Sequence, residues 1–228
     1  MRTTFVLAHS PVVGPSTWAP VAESLERRGH AAVVPDLTGV SAGGPPYWPR
    51  VVAAVRAAVP PGPLVLVSHS NAGFFLPVLK ESLGEQVVAC VFADSRIPPA
   101  SGLITTAEAE FLPFLRDLAG PDGVLPRWTD WWDEEGVAEI LPDPATRIRV
   151  AAEQPRLPLD YFTQPVPVPA GWDEVRCSCL WFSEAYEETA AEAARRGWPV
   201  THLPGTHMQT VTHPDDVADA VLKLSRKS

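Results

Sequence analysis

The sequence is poor in cysteine, in positive charge and in long apolar runs. Its three cysteines among 228 residues fit neither a disulfide framework nor a zinc-binding spacing, so we expect reduced, buried thiols and a cytoplasmic location. Arg and Lys number 18 against 27 Asp and Glu, and the net charge of −9 argues against nucleic acid and an anionic membrane as partners. No segment approaches the length of a membrane span, and the apolar run over 5–8 is too short for a signal peptide.

Proline, by contrast, is abundant, and its 26 copies divide the chain into short elements. Predicted strands cover 5–8, 31–34, 64–67, 87–93, 177–182 and 200–203. Predicted helices cover 18–28, 47–59, 73–83, 187–196 and 214–224. Because most of the strands are apolar without polar alternation, and because strands alternate with helices, we predict an α/β fold. Its sheet is mainly parallel, has about six strands and is covered by helices on both faces.

This alternation is interrupted over 97–170, where the sequence has no clear buried strand and only short helical pieces such as 106–118. Between 101 and 144 the segment holds ten acidic and two basic residues, a local charge of −8. Its tryptophans argue against disorder. We therefore predict a core domain formed by 1–96 and 171–228. The segment 97–170, which we call the insertion, is predicted to form a helical cap (lid) after the fourth strand.

The third predicted strand ends at a cluster of small residues around Ser70. The order Ser68-His69-Ser70-Asn71-Ala72 has small residues two positions before and after the central serine, where glycine is usual. A strand, a tight turn and a helix in this order lift the serine hydroxyl out of the sheet edge, with the helix N-terminus pointing at it. This pattern favours a nucleophile, and the alternative is a serine that caps a helix after a buried strand.

A serine nucleophile needs a neutral imidazole within hydrogen-bond reach to take its proton. His207 lies in a loop between the last predicted strand and the last predicted helix. Because parallel strands share one carboxyl edge, we expect His207 and Ser70 to meet there. His213, beside Pro214 at the helix start, is a better candidate for a capping or surface role.

Four motifs resemble those of a known family, and they are spread over most of the chain outside the insertion. They are Leu7-Ala8-His9-Ser10 with Gly14 and Trp18, Val34-Pro35-Asp36-Leu37-Thr38-Gly39, Ser68-His69-Ser70-Asn71-Ala72-Gly73, and Gly205-Thr206-His207. On these residues the sequence resembles an α/β-hydrolase. Within that fold it is similar to the small lidded group that includes plant methyl esterases, salicylic-acid-binding esterases and hydroxynitrile lyases. The resemblance implies that Ser70 is the nucleophile, His207 the general base and later acid, and the backbone N–H of Asn71 one oxyanion donor.

The catalytic acid departs from the pattern of this family. The acid usually follows the next-to-last strand, where Ala185 occupies its place here. Asp94 ends the fourth predicted strand, as in members of the fold that carry the acid one strand earlier. We favour Asp94 over Glu184 as the partner that fixes the tautomer of the histidine. The alternative role for Asp94 is structural: its carboxylate would cap a turn or a helix and pair with Arg96.

The second departure is in the first loop, where the motif His-Gly-x reads His9-Ser10-Pro11. The third residue normally supplies an oxyanion N–H, and proline has none. Three possibilities remain: the N–H of Val12 replaces it, the hydroxyl of Ser10 donates to the oxyanion, or the oxyanion has a single donor. One lost donor costs about 2.7–4 kcal/mol of transition-state stabilisation, so chemistry that avoids a tetrahedral oxyanion stays open.

We predict a serine hydrolase that cleaves a small or medium apolar ester, thioester or lactone through an acyl-enzyme on Ser70, with no cofactor or metal. Phe74, Trp128, Trp132 and Met208 are the predicted substrate-binding residues, with packing in the core or between cap and sheet as the alternative.

Two other functions remain as alternatives. One is a lyase or cyclase that works by proton transfer on the same scaffold, and the other is a small-molecule-binding protein with a vestigial site. The partner is a small molecule in each case, and the oligomeric state is open, a homodimer included. A composition rich in alanine, proline and arginine, with three lysines, is typical of a GC-rich bacterial genome.

Overall fold

The strands of the computed structural model, which describes residues 2–226, form one large sheet and one small sheet. They are β1 (Thr4–Ala8), β2 (Ala31–Val33), β3 (Leu64–Ser70), β4 (Val87–Ser95), β5 (Gly102–Thr105), β6 (Pro165–Val168), β7 (Arg176–Trp181) and β8 (Val200–His202). The large sheet has the order β2-β1-β3-β4-β7-β8, and its neighbouring strands are parallel. The six-stranded parallel sheet predicted from the apolar runs is therefore confirmed.

Helices follow most of the strands. They are α1 (Ala19–Arg27), α2 (Trp48–Ala58), α3 (Leu76–Leu83), α4 (Leu112–Leu118), α5 (Glu134–Ile140), α6 (Pro144–Glu153), α7 (Asp160–Thr163), α8 (Glu187–Arg195), α9 (Gln209–Thr212) and α10 (Pro214–Ser225). Short 3₁₀ segments over Asn71–Phe75 and Glu184–Tyr186 matter for the site described below. Within residues 2–226, no helix combines the length and the apolar character needed to cross a bilayer.

Successive side chains of the central strands enter two different hydrophobic clusters. Val6 and Leu66 belong to the larger cluster, and Leu7 and Val67 belong to the smaller one. Helices α2 and α3 contribute to the first cluster, and α1 and α10 contribute to the second. Because both faces are covered, the strands carry no polar alternation, which is what made them readable in the sequence.

The insertion contains two strands that the sequence analysis did not predict. Strand β5 near its start pairs in antiparallel register with β6 near its end, and Leu103 lies opposite Pro167. Both strands are short, and the prolines of β6 remove backbone donors, so neither resembles a buried strand in the sequence. The helix predicted over 106–118 is confined to Leu112–Leu118, where Pro113 lies in the first turn. The division of the chain into a core and a separate cap domain stays a prediction.

Gly73 lies where the turn after β3 packs against the end of β4. A Cβ added at Gly73 would overlap the backbone carbonyl oxygen of Arg96. We expect Gly73→Ala to lower the free energy of unfolding by about 1–3 kcal/mol, because the backbone cannot yield as a flexible side chain would. Urea denaturation measures this loss.

Gly39 offers a matched control for this prediction. A Cβ at Gly39 would meet no atom within 4 Å, so Gly39→Ala should leave the midpoint of unfolding nearly unchanged. Equal midpoints for the two variants would contradict the close approach at Gly73.

Candidate active site

Ser70 ends β3 in a strained backbone conformation. Its φ is 58° and its ψ is −128°, a left-handed region that costs about 1–3 kcal/mol for a residue with a Cβ. Two hydrogen bonds hold its carbonyl oxygen: the N–H of Arg96 donates at 3.2 Å and Oγ of Ser95 donates at 2.8 Å. The end of β4 therefore supports the turn that carries the serine. The arrangement is the strand, tight turn and helical segment expected from the sequence.

Ser68 occupies a place where glycine is usual in this turn. It is fully buried, and its Oγ lies 2.9 Å from Oγ of Ser95. Because Ser95 in turn donates to the carbonyl of Ser70, the hydroxyl of Ser68 belongs to a chain of hydrogen bonds under the turn. A small polar side chain therefore replaces glycine here without leaving a buried hydroxyl unsatisfied.

Asp94 and His207 form a short hydrogen-bonded pair at the carboxyl edge of the sheet. Nδ1 of His207 donates to Oδ2 of Asp94 at 2.7 Å. Asp94 lies in the last part of β4, has a φ of 43° and is completely buried. His207 follows β8, as the chain order predicted. The pair fixes the tautomer of the imidazole that leaves Nε2 free to accept a proton.

Four hydrogen bonds in all satisfy the carboxylate of Asp94. Oδ1 accepts from the N–H groups of Phe182 and Ser183 at 2.7 and 3.2 Å, and Oδ2 accepts from Oγ of Ser183 at 2.7 Å in addition to His207. Burial alone would raise the pKa of Asp94, but these bonds, led by that from His207, hold the pKa below its ordinary value. The carboxylate is therefore ionised when it faces the imidazole.

Glu184, the other candidate acid, lies in an exposed 3₁₀ turn after β7. In the part of the chain that the structure describes, it makes no hydrogen bond to His207. The structure brings Asp94, and not Glu184, to the histidine.

His69 lies beside this pair although it points away from the cavity. Its ring stacks on that of His207 at 4.4 Å, and its Nε2 donates to the carbonyl oxygen of His207 at 2.8 Å. Among residues 2–226 its Nδ1 has no hydrogen-bond partner. Burial, and next the nearby His207, lower the pKa of His69 from 6.5 to about 3. His69 therefore positions the loop that carries His207.

The depressed pKa of His69 predicts a loss of stability in mild acid. The unfolded chain binds this proton near the ordinary value of 6.5 and the folded chain does not, so the stability is complete above that pH. It decreases progressively as the pH falls towards about 3. From pH 7.5 to pH 5 we expect His69 to lower the free energy of unfolding by about 2 kcal/mol. Urea denaturation at the two pH values measures this.

Buried His9 also has a lowered pKa and acts in the same direction, so the total loss should exceed that of His69 alone. The variant His69→Gln should show a weaker pH dependence, whereas exposed His213→Gln should keep the wild-type dependence. Equal stability of the wild-type protein at the two pH values would contradict this prediction.

The first loop holds Val12 and Ser10, the candidates for the second oxyanion donor. Nδ1 of His9 donates to the carbonyl of Ser10 at 2.8 Å, and Nε2 of His9 accepts from the N–H of Leu37 at 3.0 Å. Val12 faces the cavity, and its N–H lies 3.4 Å from Oγ of Ser10. His9 therefore fixes the loop, within which the N–H of Val12 donates to the hydroxyl of Ser10. Which group replaces the N–H that Pro11 lacks stays a prediction.

Asn71 connects the turn to the insertion through its side chain. Its Oδ1 accepts from the hydroxyl of Tyr161 at 2.6 Å, and its Nδ2 donates to the carbonyl oxygen of Thr106. Both partners belong to the insertion. The residue whose backbone N–H is the first candidate oxyanion donor is thus held by the insertion, which lines part of the cavity.

Ser70 and His207 open onto one cavity of about 300 Å³. Five more of the predicted oxyanion and substrate-binding residues line it, namely Val12, Asn71, Phe74, Trp128 and Trp132. Met208 does not line it, because this side chain is buried in the hydrophobic core behind the loop. The described residues include no cluster of three or more His, Cys, Asp or Glu that could hold a metal ion.

Several residues of the cavity wall were not predicted from the sequence. The aromatic side chains of Phe111 and Phe162 come from the insertion, and Arg96 forms an ion pair at 3.2 Å with Glu108 on the same wall. Tyr186 follows β7 and donates its hydroxyl to Oγ of Ser70 at 3.4 Å. Its position in the segment that follows β7 could have indicated a site residue, since the carboxyl ends of parallel strands meet at this edge.

Within residues 2–226, Ser70 Oγ makes no hydrogen bond to His207; its partner is Tyr186. Catalytic hydrogen bonds in unliganded enzymes are often long or poorly aligned and tighten only when substrate is bound. The two side chains nevertheless face the same space, as the position of each at a strand end predicted.

The chain matches known proteins over most of its length. The family model described as "Alpha/beta hydrolase family" matches residues 5–220. Esterase PIR7B of Oryza sativa subsp. japonica is 29% identical over 133 residues, which cover 53% of this chain and 47% of the rice protein. The match thus spans about half the length of that curated relative.

Solved structures of low sequence identity show the same fold. An extracellular α/β-hydrolase from a Paenibacillus species has a TM-score of 0.74 at 17% identity, with 99% of this chain and 100% of that chain covered. Polyneuridine aldehyde esterase has a TM-score of 0.70 at 17% identity, with 99% and 100% covered. A pyrethroid hydrolase from Sphingobium faniae JZ-2 has a TM-score of 0.63 at 20% identity, with 99% and 98% covered.

Proposed function

The chain belongs to the alpha/beta hydrolase family, and we propose that it is a serine hydrolase of small or medium apolar esters, thioesters or lactones. The observation that carries the proposal is the hydrogen bond from His207 to buried Asp94, with the strained Ser70 facing the same cavity. The names of the rice esterase and of the two solved hydrolases support a carboxylic ester as substrate.

The proposed reaction proceeds in two halves. Oγ of Ser70 attacks the carbonyl carbon while Nε2 of His207 takes its proton, and the leaving group receives that proton as the acyl-enzyme forms. A water then gives a proton to Nε2 of His207 and attacks the acyl carbon. The bond from the acyl carbon to Oγ of Ser70 breaks, Oγ takes the proton back from His207, and the acid is released. Asp94 stays ionised throughout and stabilises the imidazolium.

The cavity supports the apolar character of the substrate. Phe74 and the insertion's Trp128, Trp131 and Trp132 line its wall, and its volume of about 300 Å³ lies at the lower end of ligand pockets. The charge of −8 between residues 101 and 144 disfavours substrates with a free carboxylate. An uncharged ester of modest size matches both properties.

A fluorophosphonate probe and p-nitrophenyl acetate together test this function. We expect a covalent mass increase on the peptide that contains Ser70, and turnover of the ester. Labelling without turnover would favour the second candidate, a lyase or cyclase that uses the same Ser70 and His207 for proton transfer. The observation in favour of that candidate is Pro11, which has no N–H to give to an oxyanion. No labelling at all would favour a binding protein.

A further inference from the structure

The hydroxyl of Tyr186 lies at the reacting atoms. It donates to Oγ of Ser70 at 3.4 Å, and the tyrosine ring is almost parallel to the imidazole of His207, with 5.1 Å between the ring centroids and 2° between their planes. Tyr186 is buried, with 9% of its surface exposed, and the exposed part faces the cavity. The phenol therefore reaches Ser70 from the side on which the imidazole lies.

The surroundings of Tyr186 keep its proton in place. Burial raises the pKa of the phenol to about 12, and Asp94 and Glu108 act in the same direction against the hydrogen bond to Ser70 and the charge of Arg96. The guanidinium of Arg96 lies over the ring, 4.7 Å from its centroid, and a cation on that face withdraws electron density from the phenol. At neutral pH the hydroxyl is therefore a hydrogen-bond donor and not a base.

This donor is suited to the leaving group rather than to the carbonyl oxygen. The oxyanion is expected at the N–H of Asn71, on the turn, whereas the leaving oxygen must lie next to Nε2 of His207 to receive a proton. A hydroxyl on the same side of Ser70 as the imidazole is therefore close to the position of the leaving oxygen. When Ser70 bonds to the acyl carbon, its Oγ becomes a poorer acceptor, and the phenol is free to turn to the oxygen that is gaining charge.

We propose that Tyr186 is a catalytic residue that donates a hydrogen bond to the leaving-group oxygen while the ester bond breaks. The inference rests on the proposed hydrolase function. The bond from Ser70 Oγ to the acyl carbon forms, and the serine proton moves to Nε2 of His207. The bond from the acyl carbon to the leaving oxygen then breaks, and its electron pair takes that proton from His207. Tyr186 keeps its own proton throughout.

The proposal narrows the substrate class. A hydrogen bond to the leaving atom matters most when that atom carries much charge in the transition state, as the oxygen of an aliphatic alcohol does. It matters least for an activated phenol, and sulfur is a weak acceptor. The site is therefore suited to oxygen esters or lactones of aliphatic alcohols more than to thioesters.

The test is Tyr186→Phe, which keeps the ring and its contacts with His207 and Arg96. The values of kcat/KM are measured for the acetates of p-nitrophenol, phenol, trifluoroethanol and ethanol. We expect the ratio of wild type to variant to rise along this series, from about threefold to about 10²-fold, within the range of acid–base and hydrogen-bond contributions to catalysis. If Tyr186 had only a structural role, its substitution would lower kcat/KM by the same factor for all four esters. Such a flat series would overturn the proposal.

Tyr47→Phe is the matched control. Its hydroxyl donates to Asp160 at 2.5 Å, and it lies outside the cavity wall, so the ratio should stay near one for all four esters. A rising series for Tyr47→Phe as well would overturn the assignment to Tyr186. Wild-type protein that labels at Ser70 and hydrolyses the esters, with a flat series for Tyr186→Phe, would reject this inference alone. Wild-type protein that neither labels nor hydrolyses would reject the proposed function and the inference with it.

Discussion

Asp94→Asn is expected to lower kcat for an activated ester by about 10⁴-fold, the loss found when a triad aspartate becomes an amide. Asn keeps the size of the side chain but presents an NH₂ group where a carboxylate oxygen accepted from Nδ1 of His207 at 2.7 Å. The imidazole then turns to the tautomer that carries its proton on Nε2, where it cannot accept the proton of Ser70. Steady-state kinetics with p-nitrophenyl acetate measure the loss.

Glu184→Gln is the matched control for this substitution, because it makes the same chemical change at the other candidate acid. Because Glu184 is exposed, we expect the kcat of Glu184→Gln to stay within about twofold of wild type. A large loss for Glu184→Gln with an active Asp94→Asn would show that the assignment of the acid is wrong. Because Asp94 accepts four hydrogen bonds, the fold of Asp94→Asn must be checked by urea denaturation.

If Ser70 is the nucleophile as proposed, Ser70→Ala should lower kcat still further, by about 10⁶-fold, as the removal of a catalytic serine does in subtilisin. It should also abolish covalent labelling by the fluorophosphonate. Without Oγ no acyl-enzyme forms, while the cavity wall and the pair of His207 and Asp94 are unchanged, so affinity for a product analogue should persist. Kinetics, intact-protein mass and calorimetric binding measure the three properties.

Ser101→Ala is the control for this substitution, since Ser101 is exposed and does not line the cavity. It should keep both labelling and turnover. Residual turnover of Ser70→Ala near the wild-type rate would mean that the serine is not the nucleophile and that the acyl-enzyme does not exist.

The sequence predicted the features that depend on local pattern. The central strands of the large sheet carry long apolar runs because both faces are covered, and the turn at Ser70 needs small residues in fixed places. Asp94 was predicted as the acid because it ends a parallel strand, as in members of the fold that carry the acid one strand earlier, although Ala185 occupies the usual place of the acid. These predictions depend mainly on residues that are close to one another in the sequence.

Other features depend on contacts between distant segments, and no local pattern reports them. Strand β5 is a strand only because β6, over sixty residues later, returns to pair with it. Tyr186 reaches Ser70 because β7 and β8 are neighbours, which puts its ring against that of His207. Met208 follows His207 directly, yet its side chain lies in the hydrophobic core.

The side chain of Asn71 couples the proposed oxyanion donor to the insertion. Its two hydrogen bonds fasten the residue after Ser70 to Thr106 and Tyr161, both in the insertion, which supplies part of the cavity wall. A displacement of either partner would break a bond that holds Asn71 in place. Substitutions in the insertion that disturb Thr106 or Tyr161 are therefore expected to alter turnover through Asn71.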